Sequence, residues 1–176
     1  MNFIERQDNL LSKDECVKVI RWVRDNKIVE GDNGKPFTGY DFCTLTPDDC
    51  STPEVQPLFK SVLKLKDCYL KSFPEVKHLN KWELQYIRFK WWKPGNHYSQ
   101  WHSEHCGEGL GLKRIMSYLI YLSDNDCYTE FRRHRNVRTK AGRGIMFPAY
   151  YTHEHRGSLC KKGLDRYIAS GYFGFV

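Results

Sequence analysis

Two short segments in the second half of the chain hold side chains that could bind a metal ion. Residues 101–105 read Trp-His-Ser-Glu-His, and residues 152–157 read Thr-His-Glu-His-Arg-Gly. Because alternate side chains of an extended backbone share one face, His102 and Glu104 would point toward the same spot. One histidine from the distant segment would complete a set of two imidazoles and one carboxylate, which leaves three octahedral positions open and suits non-haem Fe(II). The same spacing also occurs at the polar ends of ordinary surface strands.

The first half of the chain is expected to contain two helices. Ser12 and Glu15 form a capping box, and an apolar stripe follows at helical spacing, so the pattern predicts a helix over residues 13–26. A Thr-Pro pair at 52–53 is typical of the N-cap and first turn of a second helix, which we expect to end near residue 71.

From residue 82 onward the pattern changes to short strands separated by turn signals. We expect an α+β, mainly β fold: a double-stranded β-helix (jelly roll) with N-terminal helices packed on one face. The length favours a single domain over residues 1–176, with a helical support at about 10–80 and the jelly-roll core at about 82–176. The expected strands cover residues 84–92, 115–122, 128–131, 144–147 and 167–175.

The positive charge of the chain is concentrated in one segment. The formal net charge is +7, and residues 132–143 contribute six cations and no acidic residue. Nucleic acid is therefore a candidate partner, although a solvated hairpin whose arginines bind small anions is the more ordinary interpretation. The six cations are Arg132, Arg133, Arg135, Arg138, Lys140 and Arg143.

Several function classes are disfavoured by composition. The charge-free apolar run at 115–123 has nine residues, whereas a membrane span needs about 20. The N-terminal stretch carries acidic residues and no long apolar run, so we expect no secretory signal and a cytoplasmic location, in a host cell if the protein is viral. Seven cysteines without a Cys-x-x-Cys pair argue against a zinc knuckle and predict reduced thiols.

The histidine motif lies within a longer pattern. Residues 92–104, WKPGNHYSQWHSE, resemble the YxPGxxYxxHxD/E signature of the prolyl-hydroxylase-like 2-oxoglutarate- and Fe(II)-dependent dioxygenases. The resemblance covers about residues 82–175 in the family's order and is greatest to its small phage and marine-bacterial branch. The other similar blocks are 114–123 (RIMSYLIYLS), 129–131 (TEF), 142–148 (GRGIMFP), 155–157 (HRG) and 166–167 (RY).

The resemblance implies which residues bind the metal. His102 and Glu104 would be two iron ligands, with glutamate in place of the commoner aspartate. The distal ligand would be His155 or His153. In the family this histidine precedes the basic co-substrate residue by nine to ten positions. His155 is 11 positions before Arg166 and His153 is 13, so His155 is favoured.

The resemblance also implies four residues around the co-substrate 2-oxoglutarate. Arg166 would pair with its distal carboxylate, because the guanidinium fork binds carboxylates bidentately. Ser170, on the same strand face, and Tyr121 would donate hydroxyl hydrogen bonds to that carboxylate. Trp92 stands where relatives often carry a co-substrate tyrosine and cannot accept a hydrogen bond. The implied cofactors are Fe(II), 2-oxoglutarate and O₂, with ascorbate as a reductant.

The reaction implied is hydroxylation of an unactivated carbon with release of succinate and CO₂. A prolyl residue of a peptide or protein is the first candidate substrate. Residues 31–51, which begin with a glycine-rich stretch, would form a mobile lid over it, with Tyr40 and Phe42 against the pyrrolidine ring. The alternatives are a nucleic-acid or nucleotide oxygenase, because of the basic segment, and a non-catalytic jelly-roll binding module. The oligomeric state stays open.

Overall fold

Two antiparallel sheets form the framework of the computed structural model, which describes residues 2–27, 30–31, 40–79, 81–160 and 163–175. The strands are β1 (Glu5–Gln7), β2 (Glu30–Gly31), β3 (Tyr40–Leu45), β4 (Trp82–Trp92), β5 (Arg114–Tyr121), β6 (Tyr128–Phe131), β7 (Val137–Arg138), β8 (Gly144–Pro148), β9 (His155–Gly157) and β10 (Arg166–Phe175). The major sheet has the order β1-β8-β5-β10-β4-β3-β2, and the minor sheet has the order β7-β6-β9. The expected mainly β jelly roll is confirmed, and all five expected strands are present.

Helix α1 spans Lys13–Asn26, as the sequence predicts. Its capping box is formed: the Ser12 hydroxyl accepts from the amide of Glu15 at 3.2 Å, and the Glu15 carboxylate accepts from the amide of Ser12 at 2.7 Å. These contacts satisfy amides that a helix start leaves without partners. The local signal therefore fixes where the helix begins.

The expected start of the second helix is wrong. A short helix α2 (Pro47–Ser51) comes first, and Thr52 ends it instead of beginning the next. Thr46 is the N-cap of α2, because it forms a capping box with Asp49. Helix α3 (Gln56–Ser72) then begins after a turn. The Thr-Pro pair at 46–47 is the stronger start signal, because Asp49 completes a capping box that Thr52 lacks.

The segment interpreted as a lid is partly regular structure. Strand β3 and helix α2 occupy most of residues 40–51, and residues 32–39 of the expected mobile loop lie outside the described residues. Strand β3 pairs with β4, placing Tyr40 opposite Trp92 and Phe42 opposite Lys90. The N-terminal part of the chain thus contributes strands to the major sheet as well as helices.

The two faces of the major sheet have different surroundings. On β4, Ile87 and Phe89 point to the outer face, which packs on the helices in a large apolar core. Their neighbours Lys90 and Trp92 point to the inner face, toward the minor sheet. A smaller apolar core lies between the sheets and includes Tyr121, Phe131, Phe147 and Ile168.

The prediction of reduced thiols is wrong for one pair. Cys127 and Cys160 form a disulfide that joins the chain before β6 to the chain after β9. Both side chains are buried and lie close in space, a proximity that the sequence separation of 33 does not reveal. None of the helices in the described residues has the length and apolar character of a membrane span.

Candidate active site

Side chains of His102, Glu104 and His155 converge at the inner face of the major sheet. One ligand atom of each lies within 4.8 Å of the other two. Oε1 of Glu104 is 3.3 Å from Nε2 of His102 and 3.6 Å from Nε2 of His155. Among the described residues this is the one group of three histidine, cysteine or carboxylate side chains with such spacing.

Backbone pairing between two distant segments produces this convergence. The amide of His102 donates to the carbonyl of His155 at 3.1 Å, and the amide of His155 donates to the carbonyl of His102 at 3.0 Å. The amide of Glu104 donates to the carbonyl of Ala149 at 2.9 Å. The extended strand expected around His102 is therefore only a single antiparallel bridge, and a bend at Glu104 follows it.

Both imidazoles present Nε2 to the shared spot. Nδ1 of His102 lies 3.1 Å from the carbonyl of Gln100, and Nδ1 of His155 lies 3.1 Å from the carbonyl of His153. Because a carbonyl oxygen only accepts, each Nδ1 carries a proton and donates it. Metal-binding histidines typically have their second nitrogen held in this way.

The pKa values of Glu104 and His155 are shifted in the directions that favour binding of a cation. Burial alone would raise the pKa of Glu104, but hydrogen bonds and charge from His102 and His155 outweigh burial and hold that pKa well below its usual range. Burial lowers the pKa of His155, so its Nε2 gives up a proton readily. Since metal binding displaces such protons, the donor set fits a divalent ion.

Neighbouring groups hold Glu104 in place. The hydroxyl of Tyr172 donates to Oε2 at 2.6 Å, and Nη1 of Arg114 donates to the Glu104 carbonyl at 3.1 Å. Burial and the charge of Glu104 raise the pKa of Tyr172 well above its usual value, so its hydroxyl keeps the proton. With Oε2 engaged, Oε1 is the oxygen directed at both imidazoles.

His155, and not His153, lies beside His102 and Glu104. His153 is in a short 3₁₀ turn, where its Nε2 is 2.8 Å from the carbonyl of Asn2. Its ring stacks on His134 with a centroid distance of 4.5 Å. Its Nδ1 is 2.9 Å from the hydroxyl of Thr152, so both nitrogens of His153 have partners outside the cluster.

Arg166 lines the same cavity as the three candidate ligands. It is only 2% exposed, and its Nε has no hydrogen-bond partner among the described residues. The guanidinium carbon lies 5.5 Å from the ring of Trp92, its register neighbour on β4. A Cβ added at Gly157 would lie 2.7 Å from Nη1 of Arg166, so the glycine of the His-Arg-Gly motif leaves room for the guanidinium.

Of the other three residues implied for the co-substrate, one lines the cavity and two do not. Trp92 is in the cavity wall with Arg166. Tyr121 and Ser170 are buried on the inner face but are not among the described residues that line the cavity. The Tyr121 hydroxyl is 2.7 Å from Oγ1 of Thr129, and burial raises the pKa of Tyr121 to about 12.

Sequence reasoning missed several residues around the cavity. Lys90, Tyr98 and Arg156 also line it, and the Tyr98 ring lies 4.1 Å from the ring of His102. Lys90 is two positions from Trp92 on β4, and residues two apart on a strand share a face. The sequence therefore places Lys90 on the same face as Trp92. Tyr98 is part of the quoted family signature, but no role was assigned to it.

Half of the six cations in the basic segment are paired. Arg132 contacts Glu154 at 2.8 Å. Arg143 and Lys140 contact Asp8 at 2.6 and 3.7 Å. These ion pairs reduce the free positive charge that the segment can offer to a polyanion.

The fold is similar to those of solved prolyl hydroxylases. No protein-family model matches the sequence, and no curated protein sequence is significantly similar to it. A viral collagen prolyl hydroxylase from Paramecium bursaria Chlorella virus-1, solved with 2-oxoglutarate, superposes with a TM-score of 0.75 at 18% identity over 99% of this chain and 97% of that chain. A prolyl-4-hydroxylase from Pseudomonas putida gives 0.73 at 14% identity over 100% and 94%.

A third solved structure is a prolyl hydroxylase from Trichoplax adhaerens in complex with a peptide fragment of hypoxia inducible factor. It gives a TM-score of 0.72 at 12% identity, over 99% of this chain and 84% of that chain. The agreement covers nearly the full length of this chain, helices and both sheets included. This chain therefore has the jelly-roll fold of the prolyl hydroxylases.

Proposed function

We propose that this protein is an Fe(II)- and 2-oxoglutarate-dependent oxygenase. The observation that carries the proposal is the convergence of His102, Glu104 and His155 within 4.8 Å, next to the buried Arg166, whose Nε has no hydrogen-bond partner in the described part of the chain. Two imidazoles and a carboxylate are the ligand set of non-haem Fe(II) oxygenases. The similar fold of solved prolyl hydroxylases supports the same activity.

In this proposal His102 and His155 bind the iron through Nε2 and Glu104 binds it through Oε1. The bound iron supplies the oxygen chemistry, with 2-oxoglutarate as the source of two electrons. The protein's own contribution is positional. The backbone bridge between His102 and His155 sets their spacing, Tyr172 fixes the Glu104 carboxylate, and Arg114 fixes the Glu104 backbone carbonyl.

Arg166 is the proposed anchor of 2-oxoglutarate. A buried guanidinium without a carboxylate partner is costly, and burial lowers the pKa of Arg166. A bound dicarboxylate would supply the missing charge and accept from the free Nε. Trp92 would pack against the ligand. Tyr121 and Ser170 do not line the cavity, and we propose no contact between them and the ligand.

For the substrate we propose a prolyl residue of a peptide. The support is the peptide complex of the similar Trichoplax fold and the sequence resemblance to prolyl hydroxylases. The nucleic-acid alternative is weakened by the ion pairs of Arg132, Lys140 and Arg143. The cytoplasmic location remains a prediction from the sequence.

Succinate formation tests the activity. Purified protein is supplied with Fe(II), 2-oxoglutarate, ascorbate and O₂, with and without a library of prolyl peptides. We expect metal-dependent succinate that the peptides stimulate, and none from His102→Ala. The control is His105→Ala, because His105 lies three residues away and contacts the Arg114 carbonyl instead of the cluster. Equal succinate from both variants would refute the assigned site.

A further inference from the structure

The inner face of the major sheet carries more positive charge than iron and 2-oxoglutarate require. Arg88, Arg114 and Arg166 all act electrostatically on Lys90, as does a single carboxylate, Glu104. Among the described residues, none of these four cations forms an ion pair. The two charges of Fe(II) would be balanced by the two carboxylates of 2-oxoglutarate. The four cations would therefore still outnumber the single carboxylate of Glu104.

Two of the four cations already have roles. Arg166 is the proposed 2-oxoglutarate anchor. Arg114 donates to the Glu104 carbonyl and to the Tyr86 hydroxyl, both at 3.1 Å, and its guanidinium carbon lies 3.8 Å from the ring of Tyr172. Arg114 thus holds the backbone of Glu104 and the aromatic side chains of Tyr86 and Tyr172 beside it.

Arg88 and Lys90 have no such role. The guanidinium of Arg88 lies over the rings of Phe42 and Tyr86 at 4.7 and 5.1 Å. Within the described ranges its buried Nε has no hydrogen-bond partner. Nζ of Lys90 lies 5.2 Å from the Tyr40 ring, and the side chain lines the cavity of the candidate metal ligands. Ring contacts offset only part of the cost of burying a charge.

The strand register separates these residues from the co-substrate anchor. On β10, Arg166 is opposite Trp92, Ile168 is opposite Lys90, and Ser170 is opposite Arg88. Since two residues of a strand span about 6.6 Å, Arg88 lies on the order of 13 Å along the sheet from the Arg166 row. Arg88 is therefore anchored in a different row of the sheet from Arg166, which leaves it available for a second carboxylate.

We propose that Arg88, assisted by Lys90, binds a carboxylate of the substrate, so that the substrate is acidic close to its oxidised carbon. This inference rests on the proposed oxygenase function. The carboxylate can belong to an acidic residue next to the prolyl residue of a peptide, or to the α-carboxyl of a free imino acid. In both cases the guanidinium fork supplies paired donors with the geometry of a carboxylate.

Ligand binding to the anaerobic Fe(II)–2-oxoglutarate protein tests the proposal by calorimetry. The first arm compares acetylated, amidated pentapeptides with Glu, Gln or Lys next to proline. The second arm compares L-proline with L-prolinamide. We expect one arm to show a preference for the acidic ligand of at least about tenfold, and the arm that responds identifies the source of the carboxylate.

Substitutions at Arg88 test whether this residue causes the preference for the acidic ligand. Arg88→Met should reduce the affinity for the acidic ligand to that for its neutral counterpart, and Arg88→Lys should keep part of the difference. The matched control is Arg24→Met: Arg24 lies over Trp91 at 5.1 Å on the outer face of the same strand, so its removal should leave the preference intact. Thermal melting reports whether each variant is folded. If Arg88→Met is unfolded, Lys90→Met is used in its place to test the proposal.

Two results would overturn the proposal: equal affinity for acidic and neutral ligands in both arms, or an acidic preference that survives in folded Arg88→Met and Lys90→Met. Failure of the proposed function looks different. In that case Fe(II) and 2-oxoglutarate themselves would not bind to the unsubstituted protein, whatever ligand is added.

Discussion

The outer and inner faces of the major sheet are made by the same strands but differ in chemistry: the outer face is apolar, and the inner face carries cations. On the outer face of β4, Ile87 and Phe89 are 2% and 0% exposed and pack against helices. On the inner face of that strand, Arg88 and Lys90 lie beside aromatic rings without an ion pair among the described residues. Arg88 and Lys90 are half-buried, so only the outer face is complete without a ligand.

This difference shows how a site can be recognised from burial and chemistry together. A buried apolar residue is explained by packing, whereas a buried charge needs a partner. The inner face lacks enough carboxylates for its cations, and three ligand atoms of His102, Glu104 and His155 face one another. We therefore expect inner-face substitutions to change ligand binding and outer-face substitutions to change stability.

The largest effect is expected for Arg166→Met. Loss of one partner of a buried charge pair costs about 3–5 kcal/mol, which corresponds to a roughly 150- to 4000-fold weaker affinity for 2-oxoglutarate. Anaerobic calorimetry of the Fe(II)-loaded protein measures it. Arg24→Met is the control on the outer side of the sheet, and an unchanged dissociation constant in Arg166→Met would place the anchor elsewhere.

Phe89→Ala should show the opposite behaviour. The side chain is 0% exposed in the outer core, and truncation of a buried Phe costs about 3–5 kcal/mol of unfolding free energy. Urea denaturation measures this loss. Metal binding per folded molecule should stay stoichiometric, and a metal site lost without a loss of stability would contradict the division between the faces.

Tyr172→Phe removes the hydroxyl that donates to Oε2 of Glu104 at 2.6 Å. Because groups that orient a metal ligand are typically worth 10–100-fold in metal affinity, we expect a loss of about that size. Competition with a chelator measures the affinity. The control is Tyr167→Phe, whose hydroxyl contacts Asp165 instead, and equal losses in the two variants would show that the Glu104 contact has no special role.

The smallest effect is a pH dependence at Lys90. Burial lowers the pKa of Lys90 to about 8, with Arg88, Arg114 and Arg166 acting in the same direction and Glu104 opposing them. Lys90 therefore loses its charge as the pH rises through about 8. We expect the affinity for the acidic prolyl peptide to fall above that pH by about two- to fivefold. The same fall in Lys90→Met would show that another group titrates.

The sequence predicted the strands and α1 because their signals are local. The capping box at Ser12 and the apolar runs of β4 and β5 need no information from the rest of the chain. The start of α3 was misjudged because two Thr-Pro pairs, at 46–47 and 52–53, compete within a few residues. The capping box between Thr46 and Asp49 distinguishes them, because Thr52 has an apolar Val55 at the matching position.

The candidate ligands could be predicted, but the reason for their geometry could not. Their types and spacing identify His102 and Glu104, whereas the bridge between His102 and His155 is a long-range contact. The role of Arg88 depends on the register between β4 and β10, and no spacing within β4 reveals it. The disulfide between Cys127 and Cys160 was missed for the same reason.

The central claim is that His102, Glu104 and His155 form an iron site that accepts 2-oxoglutarate. The most direct measurement is an anaerobic titration with Fe(II) and 2-oxoglutarate, followed by the visible charge-transfer absorption of the chelate. We expect one equivalent to bind, a loss of more than about 100-fold in His155→Ala, and retention in His153→Gln, whose parent side chain contacts Asn2. Absence of the absorption in the unsubstituted protein, or its persistence in His155→Ala, would contradict the claim.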